Sequence, residues 1–204
     1  MKNASRIASL SDLAASDEEF KQTQDKKHQE HRSQFPKRLL WALKQLKEMK
    51  EVNGISQFTH SLQTATRAMK ANASDEMIFA ALMHDAGKAL ITRNHAGVIA
   101  ETLSSVVSLD TYYILLTHET FQGFFTYSKL GLDPNARSIY KNEPWYESAI
   151  LFNEWDELSL DPKYKSKPLK EFVPLVFQFA GKDIPRMMFT NAEQERMRIK
   201  KKAA

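Results

Sequence analysis

The chain has 204 residues, 42% hydrophobic and 26% charged, with a formal net charge of +4, the make-up of one globular domain with a substantial core. It has no cysteine, which excludes disulfides, thiolate nucleophiles, iron–sulfur clusters and sulfur-rich zinc sites, so any metal must be held by nitrogen and oxygen. No apolar run reaches bilayer length and no apolar core follows the first charges, so a cytoplasmic protein with no membrane partner is expected.

Residues 1–34 are polar and charge-rich, an N-terminal extension that forms a solvated helix or stays loose. His28 and His31 stand three apart there, but nothing apolar surrounds them and they read as surface histidines. Pro36 suits the first turn of a helix, and Leu39, Leu40, Leu43, Leu46 and Met49 then recur at helical spacing. Asn53-Gly54 breaks that pattern. A second helix is expected from about Ser56 to Met69, with His60 near its start. Ser74 caps a third, whose first turn carries Asp75 and Glu76. This helix is apolar through Phe79-Ala80-Ala81-Leu82-Met83, delivers His84-Asp85, and ends or bends at Gly87.

A fourth helix begins near Asn94 and carries His95. A fifth spans roughly Asp110 to Tyr127 and carries His118. A sixth runs from near Pro144 through Trp155 to Asp156, and a last from about Pro168 to Phe179. No alternating strand pattern and no internal repeat is visible. The expected fold is all-α: one helical bundle over residues 35–185, then a tail over 186–204 rich in Arg196, Arg198, Lys200, Lys201 and Lys202. A basic terminus of this kind reads as a solvated end rather than a nucleic-acid site.

Four of the six histidines lie inside apolar helical segments: His60, His84, His95 and His118. One buried histidine means little, but four on successive helices, with Asp85 and Asp156 in similar settings, point to a metal centre in the bundle core. Buried carboxylates and imidazoles are costly unless compensated, and a cation compensates them. Six such ligands leave two octahedral ions with open positions. Nitrogen and oxygen donors suit iron, with manganese or another divalent metal as alternatives. Around this set, Gln57 and Gln122 are candidates for lining a pocket. Lys88 is either a substrate contact or a lysine at a helix end. Gln63 shares the helical face of His60 and either hydrogen-bonds a ligand or packs as a polar contact. Glu119 beside His118 either supports a ligand or faces solvent, Arg93-Asn94 adds charge or is solvated, and Trp155 reads as core.

The order His60, His84-Asp85, His118, Asp156 resembles the HD-domain superfamily of metal-dependent proteins, and His95 makes it the six-ligand version. The segment Ile55-Ser56-Gln57-Phe58-Thr59-His60-Ser61-Leu62-Gln63-Thr64-Ala65 resembles the first-ligand segment of the HD-domain mixed-valent diiron oxygenases, as does the gap of 24 residues from His60 to His84. Asn94-His95-Ala96-Gly97-Val98-Ile99-Ala100 resembles their third-histidine helix. Asn153-Glu154-Trp155-Asp156-Glu157-Leu158 and the segment Pro168 to Leu175 resemble their last-ligand helix and the one after it.

The resemblance implies two irons, Fe(II)/Fe(III), and dioxygen used to oxidise or cleave a C–C or C–P bond of a small hydroxylated substrate. It places His60, His84, Asp85 and Asp156 at one iron and His95, His118 and bridging Asp85 at the other. The inositol-cleaving branch also has a lysine at the position of Lys88, where it contacts substrate and serves as a catalytic residue. The chain departs from the phosphonate-cleaving branch. Lys50 and Asn53 stand where those enzymes have Tyr and Glu, Gln122 where they have Lys, and Asn153 where they have Arg. Two other readings compete: an HD-type phosphohydrolase acting on a nucleotide or phosphate ester, and a non-catalytic metal- or ligand-binding regulator.

Overall fold

Ser56, Ser74 and Ser108 each start a helix in the same way. In the computed structural model, which describes residues 17–51 and 53–182, each serine lies in extended backbone and its Oγ accepts the N–H three residues on, from Thr59, Met77 and Thr111 respectively. These caps open α2 (Gln57–Lys70), α3 (Asp75–Met83) and α5 (Leu109–Thr126). The other helices among the described residues are α1 (Asp17–Gln45), α4 (His95–Leu103), α6 (Tyr146–Glu157) and α7 (Val173–Ala180). They contain no strand; Lys50 and Ser56 form an isolated bridge. The fold is the all-α bundle that the periodicity predicts.

α3 is the centre of the bundle. Every residue from Ile78 to Met83 is buried, so this helix is apolar all round rather than on one stripe. α2 packs along it, and buried Ala65, Ala68, Ala80 and Ala81 keep the side chains there small enough for close approach. α5 packs on both α4 and α6, and α2 also meets α6. Phe79 stacks on Phe179 of α7 with ring centroids 5.1 Å apart. Glu76 ties the start of α3 to the start of α5, accepting from the backbone N–H of Ser108 at 2.9 Å and the Thr111 hydroxyl at 2.6 Å. Burial opposes ionisation of Glu76, but the hydroxyls of Ser108 and Thr111 hold its carboxyl below the ordinary value.

Three expectations are corrected. Pro36 does not start a helix: α1 runs through it from Asp17, across the 34/35 position. Pro36 is buried, and the Arg32 guanidinium just before it donates to the Lys182 carbonyl after α7, so tertiary packing offsets the backbone bond that proline removes. The last helix is not continuous from Pro168; a 3₁₀ turn at Leu169–Glu171 precedes α7. Gly87 lies inside a 3₁₀ turn, Ala86–Ala89, that carries the chain onward from His84-Asp85. Further 3₁₀ turns occupy Tyr127–Leu130 and Ala136–Tyr140. The basic tail and residues 1–16 of the extension lie outside the described residues.

Candidate metal centre

The fold brings all six predicted ligands to one place, each from an element end or an inward face. His60 comes from the first turn of α2, His84 caps the end of α3 and Asp85 follows it. His95 opens α4, His118 lies on α5 and Asp156 lies near the end of α6. All six are at most 5% exposed.

The four rings are oriented by backbone carbonyls. Nδ1 of His60 meets Ser159 O at 3.1 Å, and Nδ1 of His84 meets Ala81 O at 2.9 Å. Nδ1 of His95 meets Thr92 O at 2.8 Å, and Nδ1 of His118 meets Leu115 O at 2.7 Å. A carbonyl oxygen only accepts, so each Nδ1 carries the proton and donates it. This assigns the tautomer and leaves Nε2 as the free ligand atom in the neutral ring. At His84 the acceptor is a carbonyl of the last turn of α3, which has no partner within the helix.

The freed nitrogens converge. Nε2 of His60 and Nε2 of His84 are 3.2 Å apart, as are those of His95 and His118. In neutral rings these are lone pairs facing each other, an arrangement that needs a proton or a metal ion between them. Two ligands held about 2.1 Å from one ion stand about 3.0 Å apart at a right angle and about 3.4 Å apart at the tetrahedral angle, which brackets the observed spacing.

The carboxylates complete the pattern. Asp156 Oδ1 lies 2.8 Å from His60 Nε2 and 3.2 Å from His84 Nε2. Neither Asp156 oxygen accepts a hydrogen bond, although both are buried. An orphaned buried carboxylate is a costly feature that a bound cation relieves. Asp85 faces both ways. Its Oδ2 lies 3.5 Å from His60 Nε2 and 3.4 Å from His84 Nε2. Its Oδ1 lies 3.0 Å from His95 Nε2 and 3.7 Å from His118 Nε2. The donor atoms of His60, His84 and Asp156, and those of His84, Asp85 and His118, each fall within 4.8 Å of one another. These groups can hold metal ions, and their arrangement is compatible with two.

The electrostatics agree. Burial opposes a charge on His84, but the carboxylates of Asp85 and Asp156 outweigh it and push its pKa up to about 10. Burial likewise opposes ionisation of Asp85 and Asp156, yet the facing imidazoles hold both well below the usual carboxylate range. Without a metal, the cluster keeps its carboxylates charged and takes up a proton as the cation.

A cavity of about 280 Å³ opens onto His60, Asp85 and Asp156. Lys88, Gln57 and Gln122 line it, as do Glu51, Thr126, Glu157 and Leu160. Lys88 Nζ donates to Asp85 Oδ2 at 2.8 Å and to Gln57 Oε1 at 3.1 Å, and Gln57 Nε2 in turn donates to Glu51 Oε1. A polar chain therefore joins Glu51 to the shared carboxylate. Burial and then the neighbouring Asp156 carboxylate raise the Glu157 pKa. Glu51 and Glu157 are absent from the sequence-based site, because a glutamate in a polar segment gives no signal until the cavity is seen. Adjacency to Asp156 was the available clue for Glu157.

The remaining candidates fall outside the ligand cluster. Gln63 touches no ligand ring; its Nε2 donates to Asp161 O at 2.8 Å and Tyr164 O at 3.1 Å, holding the loop that carries Ser159 O to His60. Asn153 donates to the carbonyl of His118 at 3.1 Å and does not line the cavity. Asn53 donates to Leu160 O at 2.8 Å. Glu119 Oε1 lies 3.5 Å from His95 Nδ1 at a half-exposed position. Arg93 is exposed, and Trp155 is core, beside Phe152. His28 and His31 belong to no ligand group among the described residues. No protein-family model matches the chain, and neither does any curated protein. No helix among the described residues is long and apolar enough to cross a membrane.

Proposed function

We propose that this chain is a diiron oxygenase of the HD type, which uses dioxygen to oxidise or cleave a small hydroxylated organic molecule at its carbinol carbon. The observation that carries the reading is Asp85, whose two oxygens face two separate histidine pairs. A single-ion site has no use for that arrangement; in a two-ion site Asp85 would serve both ions. His60, His84 and Asp156 would hold one iron and His95 and His118 the other. When bound, the iron pair supplies the redox chemistry and the Lewis acidity that the side chains lack.

The residues of the chain do the rest. The carbonyls of Ser159, Ala81, Thr92 and Leu115 fix the four rings, so the ligands need little rearrangement on binding. Lys88 steadies Asp85 and, with Gln57, presents polar groups at the inner end of the cavity, where they orient a substrate oxygen. A cavity of about 280 Å³ suits a compact substrate. Asn153, which stands where the phosphonate-cleaving enzymes have Arg, donates to the His118 carbonyl and does not line the cavity, and this favours a carbinol without a phosphonate.

Metal analysis and electron paramagnetic resonance of iron-loaded protein, partly reduced, test the reading. A coupled Fe(II)/Fe(III) signal that shifts with a hydroxylated compound is expected. One redox-silent metal per chain, with anaerobic turnover of a phosphate ester, would replace the oxygenase with the phosphohydrolase.

A further inference from the structure

The walls of the cavity have a polarity of their own. Its one lysine, Lys88, is already committed to Asp85 at 2.8 Å and Gln57 at 3.1 Å. Two carboxylates beyond the ligands, Glu51 and Glu157, also line it. Among the described residues neither forms an ion pair, and Lys129 acts on Glu157 only from beyond pairing distance. Glu51 has one oxygen occupied by the Gln57 amide and the other open. Asp156, whose two buried oxygens have no hydrogen-bond partner, lines the same space. The cavity thus has a cation-seeking inner end and an acidic wall. An anionic substrate would place its charge beside unpaired carboxylates, and a neutral one would leave them without a partner.

We propose that the substrate is a small cationic alcohol: its hydroxyl lies toward the Asp85–Asp156 end and its ammonium group is held by Glu51 and Glu157. This deepens the oxygenase reading and rests on it for the role of the inner end, but the charge preference of the wall can be measured separately. It assigns the specificity to two residues that coordinate nothing.

Calorimetric titration of the full chain, iron-loaded and metal-free, with ethanolamine, ethylene glycol, glycolate and hydroxymethylphosphonate tests it. These probes are alcohols of similar reach and different charge. Ethanolamine is expected to bind the loaded protein at least about tenfold more tightly than the neutral and anionic probes. Glu51→Gln and Glu157→Gln are each expected to erase most of that margin while leaving iron content unchanged. Both substitutions keep the shape of the side chain, and Glu51→Gln keeps an oxygen to accept from Gln57. Tighter binding of glycolate or hydroxymethylphosphonate, no binding of ethanolamine, or a preference unaffected by both substitutions would overturn the proposal. A cation preference in a chain that holds no iron pair would uphold the wall and sink the oxygenase reading.

Discussion

A Cβ on Gly87 would fall 2.4 Å from the carbonyl oxygen of His95. No side chain fits there without moving backbone. The turn that carries Asp85 is therefore pressed directly against the first residue of α4, and that contact sets the distance from Asp85 Oδ1 to His95 Nε2. Gly87→Ala should cost roughly 1–3 kcal/mol of stability as the two elements move apart. It should also weaken metal binding on the His95–His118 side more than on the His60–His84–Asp156 side. Thermal unfolding and metal stoichiometry of the purified variant check both; an unchanged metal content would show that the contact serves packing alone.

The ligands are not equivalent, and single substitutions should separate them. His95→Ala removes a donor that faces His118 and, of the two Asp85 oxygens, Oδ1. It should leave the other group of donors intact and reduce the metal content to about one ion per chain. Asp85→Ala removes the carboxylate common to both groups and should abolish tight binding of either ion. Metal analysis after exhaustive dialysis distinguishes the two. Equal losses from both variants would mean that the ions bind cooperatively as one unit.

Much of this centre was legible because its chemistry conflicts with its surroundings. His84 and Asp85 follow the apolar run Ile78-Phe79-Ala80-Ala81-Leu82-Met83, and His118 follows Ile114-Leu115-Leu116; a polar group in such a place must have a partner. Ser56, Ser74 and Ser108 announced their helices equally well. What stayed hidden depends on partners that carry no side-chain signal. The carbonyls of Ser159 and Thr92 orient rings from loops. Gly87 reads as a helix stop, whereas its function is to leave room for a backbone. Pro36 reads as a helix start because its missing N–H costs nothing there, yet burial against the bundle holds α1 together across it. Gln63 shares its helical face with His60 by spacing, but its reach past that ring to Asp161 and Tyr164 carries no signal in the spacing.

That reach gives Gln63 a measurable role. Gln63→Ala leaves two loop carbonyls without their donor and should destabilise the protein by about 1–3 kcal/mol. Because the same loop presents Ser159 O to His60, the affinity for metal should fall, within the roughly 10–100-fold range found for groups that support a ligand from behind. Titration with a competing chelator measures the fall. Gln63→Glu, which keeps the length but loses the donor amide, should behave like the alanine variant.

The pH dependence of the metal-free protein follows from His84. Its pKa rises on folding from 6.5 to about 10, so the stability gained from its charged form is fully present below pH 6.5. That stability is lost progressively as pH climbs toward 10. Asp85 and Asp156 shift downward, so their contribution is present above about pH 4 and fades as the solution becomes more acidic. Metal-free protein should therefore be most stable between about pH 4 and 6.5. Metal displaces the His84 proton, so loading should release protons and should raise the melting temperature more at pH 8 than at pH 6. Calorimetric unfolding with and without chelator across this range tests the sign. A metal-free stability that rises between pH 6.5 and 9 would contradict it.

Lys88 separates the demands of the empty and loaded states. Its ammonium donates to Asp85 Oδ2 at 2.8 Å and is largely buried. In the metal-free protein it is one of the few cations compensating the shared carboxylate, and Lys88→Met leaves that charge to the imidazoles alone. The metal-free variant should lose about 1–3 kcal/mol. Once metal is bound it supplies the compensation, so the loaded variant should hold its normal metal content and recover most of the deficit. On the oxygenase proposal, turnover should still fall, because Lys88 would orient a substrate oxygen beside Asp85. Comparing melting temperatures of the parent and variant proteins, metal-free and loaded, isolates the effect. An equal deficit in both states would assign Lys88 to packing rather than to charge balance.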